Sequence, residues 1–250
     1  MKKTILLALL AATFLPAMAE ETAPPKQQLA EWEQSFLNLP ETRRTEFLRA
    51  IEKARELFGQ KRVFETIDEL HKARAIFTDS PDLENMFGAC QVEFRAFDKA
   101  MDHFKRADSL APDSPNILFN VAEIYFVTKK WTEAEQMFSR ILALIGDDKV
   151  QLPMARIVEF KQLLCLIKLN RLDEAKALAG KYDIFDDSPF PYYAEAAIAF
   201  QEGREIDAEL AVARGNRIFA DPAVIAPWQD TLMEYGYIKS FYGGDISDEE

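Results

Sequence analysis

Small residues recur along the chain at a nearly constant interval, each followed by larger apolar residues at helical spacing. The phrase FDKA ends at Ala100, and similar phrases follow as WTEA at Ala134, LDEA at Ala175 and EIDA at Ala208. A weaker copy, VFET, ends at Thr66. Successive anchors are 34, 34, 41 and 33 residues apart, and the long interval contains a seven-residue insertion, DDKVQLP, at about 147–153. Twelve places before the anchors stand Ala54, Gly88, Ala122, Leu163 and Ala196. Four places after them stand Leu70, Phe104, Phe138, Ala179 and Val212, and seven places after, Ala73, Ala107, Ile141, Tyr182 and Gly215. Steps of three and four residues put these side chains on one helical face.

Each period therefore predicts two helices joined by a short polar turn, written GQKR, EFR, TKK, LNR or EGR. A single helix pair cannot bury its own apolar face, so neighbouring pairs must stack. The pattern resembles the tetratricopeptide repeat, a 34-residue helix–turn–helix unit with small and aromatic signature positions and a closing proline. The unit 81–114 carries that signature through Phe87-Gly88, Ala100, Phe104, Ala107 and Pro112. The next, 115–148, carries it through Ala122, Tyr125, Trp131, Ala134 and Phe138. Glu84 and Gln91 depart from it where aromatics are usual, and Gly146 stands where proline is usual. Looser copies occupy 47–80, 156–188 and 189–222. The resemblance covers about 47–222 and implies an all-α, right-handed solenoid with capping helices at both ends.

The ends read differently. Residues 1–19 have two lysines, an apolar run from Ile5 to Leu15, and the small-x-small sequence Ala17-Met18-Ala19. That layout predicts a secretory signal peptide cut after Ala19, hence a periplasmic or secreted bacterial protein with no integral membrane span after cleavage. Residues 20–46 comprise a leader, flexible over 20–26, and an N-terminal helix over 27–38 bearing Trp32 and Phe36, after which Pro40 opens the next helix. A C-terminal capping helix is expected within 223–242, and 243–250 is an acidic tail expected to be disordered.

Charge and candidate chemistry narrow the function. The whole chain has 30 basic and 42 acidic residues, a net charge of −12, and loses two lysines with residues 1–19. Such a surface repels nucleic acid and anionic lipid and favours basic or neutral partners. His71 and His103 fall on second helices with no partner histidine four residues on, and are expected to be exposed helix residues. Cys90 and Cys165 each lie ten residues before an anchor, two units apart. At ~10 Å per helix layer that is roughly 20 Å, far beyond the ~7 Å Cα limit of a disulfide, so two buried free thiols are expected. No catalytic set, metal site or cofactor fingerprint is present, and no enzyme activity is expected.

What remains is a groove. In the family that the repeats resemble, first-helix residues line a concave surface that binds a protein or peptide. The corresponding places hold Asn85, Phe119, Asn120, Glu123, Phe160, Lys161 and Tyr193, with Phe126 and Phe200 between groove and core. Some relatives clamp a C-terminal carboxylate with Lys, Asn and Arg. Here those places hold Ile51, Arg55, Asn85, Ala89, Asn120, Ile157 and Lys161, and the clamp as a whole is not carried. The expected function is a non-enzymatic interaction scaffold of the cell envelope, aiding assembly of an envelope or secretion complex. The competing reading is a self-associating structural subunit joined through a C-terminal aromatic face of Trp228, Tyr235, Tyr237 and Tyr242.

Overall fold

A computed structural model describes residues 29–238. The signal sequence, the leader and the acidic tail expected from the sequence lie outside these residues, as do the first two residues of the N-terminal helix. The described chain is all helical. It runs α1 (Glu31–Leu37), α2 (Glu41–Gly59), α3 (Val63–Arg74), α4 (Pro81–Glu93), α5 (Phe97–Leu110) and α6 (Pro115–Val127). It continues through α7 (Trp131–Ile145), a 3-10 turn (Lys149–Gln151), α8 (Leu152–Lys168), α9 (Leu172–Ala179), α10 (Phe190–Gln201), α11 (Glu205–Ile218) and α12 (Pro222–Tyr235). Each even-numbered helix from α2 to α10 pairs with the helix after it, and the pairs stack into an α-solenoid. None of these helices is long and apolar enough to cross a membrane.

Local chemistry explains the starts and stops. Proline occupies the first turn of α4, α6, α8, α10 and α12, where its missing N–H costs nothing. The turn inside every pair closes through one residue in left-handed conformation: Lys61, Arg95, Lys129, Asn170 and Gly203, with φ from +55° to +73°. The N–H that follows reaches back five residues to a carbonyl, as in Lys130 to Tyr125 at 2.8 Å and Arg204 to Ala199 at 2.9 Å. This satisfies a carbonyl that the helix end leaves free. Only the last of the five uses glycine, the one residue that adopts this conformation without a Cβ penalty. Lys129→Gly is therefore expected to raise stability by about 0.5–1 kcal/mol in urea titrations, and a loss of stability would contradict this account of the turn.

The anchors do what their spacing predicts. Ala100, Ala134, Ala175 and Ala208 are fully buried, and Phe104 and Phe138 pack beside them. The closest approach is at Gly88 of α4, where an added Cβ would stand 2.4 Å from the Phe104 ring. That ring is buried and has nowhere to retreat. Gly88→Ala should cost about 1–3 kcal/mol through overpacking, and chemical denaturation measures it directly.

Two departures from the regular repeat are structural. Glu84, which replaces an aromatic, is buried, and its carboxylate accepts from Arg74 at 3.0 Å and pairs with His103 Nδ1 at 2.7 Å. The His103 ring also stacks on Phe87 at 5.5 Å. His71 is exposed as expected, but His103 is not a free surface residue; it is half-buried and tied to the neighbouring helix. The insertion at 147–153 forms the 3-10 turn and the first residues of α8, so this first helix reaches 17 residues. Cys90 and Cys165 are buried free thiols on α4 and α8, and burial pushes the Cys90 thiol up to about 11.

Candidate functional site

The site grows out of where α12 goes. Ile225, Trp228, Leu232 and Tyr235 recur at steps of three and four, so they share one buried face. That face does not simply cover the end of the stack. Trp228 packs on Phe160 of α8 at 5.3 Å and on Tyr193 of α10 at 5.6 Å. One end of the helix further along, Tyr235 packs on Phe126 of α6 at 6.3 Å and Trp131 at 5.8 Å, and its hydroxyl donates to the Leu164 carbonyl at 3.0 Å. The helix thus lies across three consecutive first helices, α6, α8 and α10, the face expected to receive a ligand. Gly236, at φ +93°, ends it.

Between α12 and the stack a cleft of about 940 Å³ stays open. Phe119, Met154 and Ile157 line it from α6 and α8, and Val224, Pro227 and Trp228 from α12. Its most buried charged group is the Lys161 ammonium, whose side chain is only 4% exposed. It lies 2.9 Å from Glu123 of α6 and 3.4 Å from Glu234 of α12, and stands over the Phe126 ring at 4.7 Å. Burial alone would lower the Lys161 pKa, but the two carboxylates outweigh it and hold the ammonium above its ordinary value. Glu123 is pushed up by burial, against the pull of Lys161, and its Oε1 has no hydrogen-bond partner among the described residues.

One wall of the cleft is fixed by Arg156. Its guanidinium donates to Asp186 at 2.9 and 3.0 Å and to the Tyr182 hydroxyl at 2.8 Å, and lies 3.6 Å over the Tyr182 ring. Buried Glu159 accepts from Arg156, Tyr182 and Lys181. Arg156 in turn holds the Asp186 carboxyl below its ordinary range. This network pins the segment between α9 and α10 to the start of α8.

Of the residues expected in the groove, Phe119, Glu123 and Lys161 line the cleft. Lys161 is not free there, being consumed by its two carboxylates. Asn85 and Asn120 lie further along the same face, where the Asn120 amide donates to Asn85 Oδ1 at 2.8 Å, linking α4 to α6. Phe160 and Tyr193, expected at the groove surface, are fully buried because Trp228 covers them. The same packing buries two members of the expected C-terminal aromatic face: Trp228 is 4% and Tyr235 7% exposed, while Tyr237 is half-buried and Tyr242 lies outside the described residues. Reading the first helices alone misses the α12 half of the cleft, although the spacing of Ile225, Trp228, Leu232 and Tyr235 already marked an apolar face in need of a partner.

The tetratricopeptide repeat family model matches residues 91–157. No curated protein matches the chain in sequence. Among solved structures, PilF of Pseudomonas aeruginosa is similar at a TM-score of 0.57 and 15% identity, over 78% of this chain and 97% of that one. A tetratricopeptide repeat protein of Parabacteroides merdae gives 0.54 and 16%, over 77% and 75%. YrrB, described as a tetratricopeptide repeat protein with an unusual peptide-binding site, gives 0.50 and 14%, over 80% and 98%. At these identities the likeness is one of fold.

Proposed function

We propose that this chain, a protein built on tetratricopeptide repeats, is a non-enzymatic interaction scaffold of the bacterial cell envelope that holds a partner segment in the cleft between α6, α8 and α12. The fold is one of protein–protein interaction, and repeat scaffolds of one architecture take unrelated partners, so the reading rests on the cleft itself. The observation that carries it is an open, apolar cleft whose walls are pinned: Trp228 anchors one side and the Arg156 network the other. A pre-shaped apolar cleft with a few polar groups lowers the ordering cost of capturing an extended or helical segment. The peptide-binding site named for YrrB gives this use of the fold a precedent. The envelope assignment rests on the signal-like residues 1–19.

Affinity capture from an envelope extract tests the scaffold role, using the intact chain beside the Phe119→Ala/Ile157→Ala variant. A partner enriched by the intact chain should be lost with the variant, and equal recovery rejects the cleft as its site. Amino-terminal sequencing of the protein from a periplasmic fraction should begin at Glu20, and recovery of an uncut chain in the cytoplasm rejects the location.

A further inference from the structure

The cleft has a lip that the repeats do not require. It is made by the end of the insertion, Leu152 and Pro153, and by Asp186–Pro189 before α10, which Arg156 ties to α8. Leu152 of this lip is 44% exposed, and in the residues just before each stretch large apolar side chains stand in solvent: Val150 is 87% exposed, Phe185 88% and Ile184 68%. Isolated exposed apolar residues are ordinary, but several next in the chain to the lining of a concave apolar site mark an interaction surface. Each sits beside acids, since Asp147 and Asp148 precede Val150 and Asp183 and Asp187 flank Ile184 and Phe185. Inside the cleft the sign is the same. Its two basic side chains, Arg156 and Lys161, are already paired with carboxylates, whereas Asp187 and Asp230 stand exposed at its edge.

Resting on the proposed use of the cleft, we infer that its occupant is a cationic amphipathic peptide segment. Its apolar side chains would lie on Phe119, Ile157 and Trp228 and reach Phe185 beside the lip, while flanking lysines or arginines meet Asp187 and Asp230. Charge complementarity selects this occupant: an apolar segment with acidic flanks would bring like charges together, and complementary potentials set partner choice and association rate. An anionic lipid surface is disfavoured for the same reason.

The test uses the intact chain and two synthetic helix-length peptides carrying a photo-crosslinker, identical in leucine and phenylalanine but with lysine in one and glutamate in the other. The lysine peptide should bind with saturation and crosslink to residues of α8, α12 or the lip. Asp187→Lys/Asp230→Lys should weaken it by about tenfold or more, and Phe185→Ser should weaken it too. These positions are exposed, so the variants should fold. Charge reversal on α11, which contributes no residue to the cleft, by Glu205→Lys/Glu209→Lys changes net charge equally and should leave binding unaltered. Equal weakening by that control means diffuse attraction and overturns the inference. Crosslinks inside the cleft from both peptides at equal affinity keep the cleft as the binding site and overturn the charge selection. Crosslinks outside it, or no binding by either peptide, overturn both. Binding of the chain to phosphatidylglycerol vesicles that Phe185→Ser abolishes would assign the lip to a membrane instead.

Discussion

Trp228→Ala should lower the stability of the folded chain by about 3–5 kcal/mol, the usual cost of emptying a large buried aromatic site. Trp228 is 4% exposed and fills the space between Phe160, Phe190 and Tyr193, so its loss leaves three rings facing a void. The damage should be local. Stacked repeats contact mainly their neighbours, and the core around Phe47, Leu70 and Phe87 is separate from the one that α12 closes. Urea unfolding followed by circular dichroism measures the loss. Hydrogen exchange should show the amides of α12 and α10 losing protection while those of α2 to α4 keep it. A change under about 1 kcal/mol, or uniform loss of protection, would mean that α12 is not held by this contact.

Lys161→Met should cost about 3 kcal/mol near neutral pH, because it leaves Glu123 and Glu234 facing each other with no cation between them. The figure is taken at the lower end of the range for broken buried pairs, since the Glu123 side chain is 25% and Glu234 40% exposed. The pH dependence identifies the cause. In the native protein the Lys161 pKa is raised above 10.5, so its contribution is complete below that value and is lost as pH climbs through the folded pKa. Glu123 is also raised, above the ordinary 4.5, so its contribution is complete below 4.5 and declines as pH rises past it. Without the ammonium the Glu123 carboxyl should move higher still. The gap between variant and native protein should therefore be widest at neutral pH and shrink as the pH falls toward 4.5. Adding Glu123→Gln to the variant should recover much of the loss at neutral pH and flatten the profile. A gap that does not vary with pH would assign the cost to packing of the lysine stem instead.

The two results bear on different parts of one arrangement. Trp228 and Tyr235 hold α12 on the stack, and the Glu123–Lys161–Glu234 triad joins three helices at the end of the cleft. Stability of this region and access to the cleft are thus set by the same side chains.

The all-helical solenoid is legible in the sequence, because its causes are local. Ala100, Phe104, Gly88 and their equivalents repeat at an interval that only a stack of helix pairs satisfies, and prolines and turn residues punctuate it. His103 shows the limit of local reading: its neighbours in sequence place it on a surface, but its partner, buried Glu84, lies nineteen residues earlier. The groove was legible only in outline. Phe119, Glu123 and Lys161 face it because helical phase orients them, yet the same phase cannot say that Phe160 and Tyr193 are already covered. Helical spacing reports which side of α12 is apolar and is silent on which surface receives it. The tertiary structure decided that by laying Trp228 and Tyr235 across α6, α8 and α10, where both rings are buried among those of Phe126, Phe160 and Tyr193. Periodicity determined the scaffold, and the return of one helix onto it determined the shape and charge of the cleft.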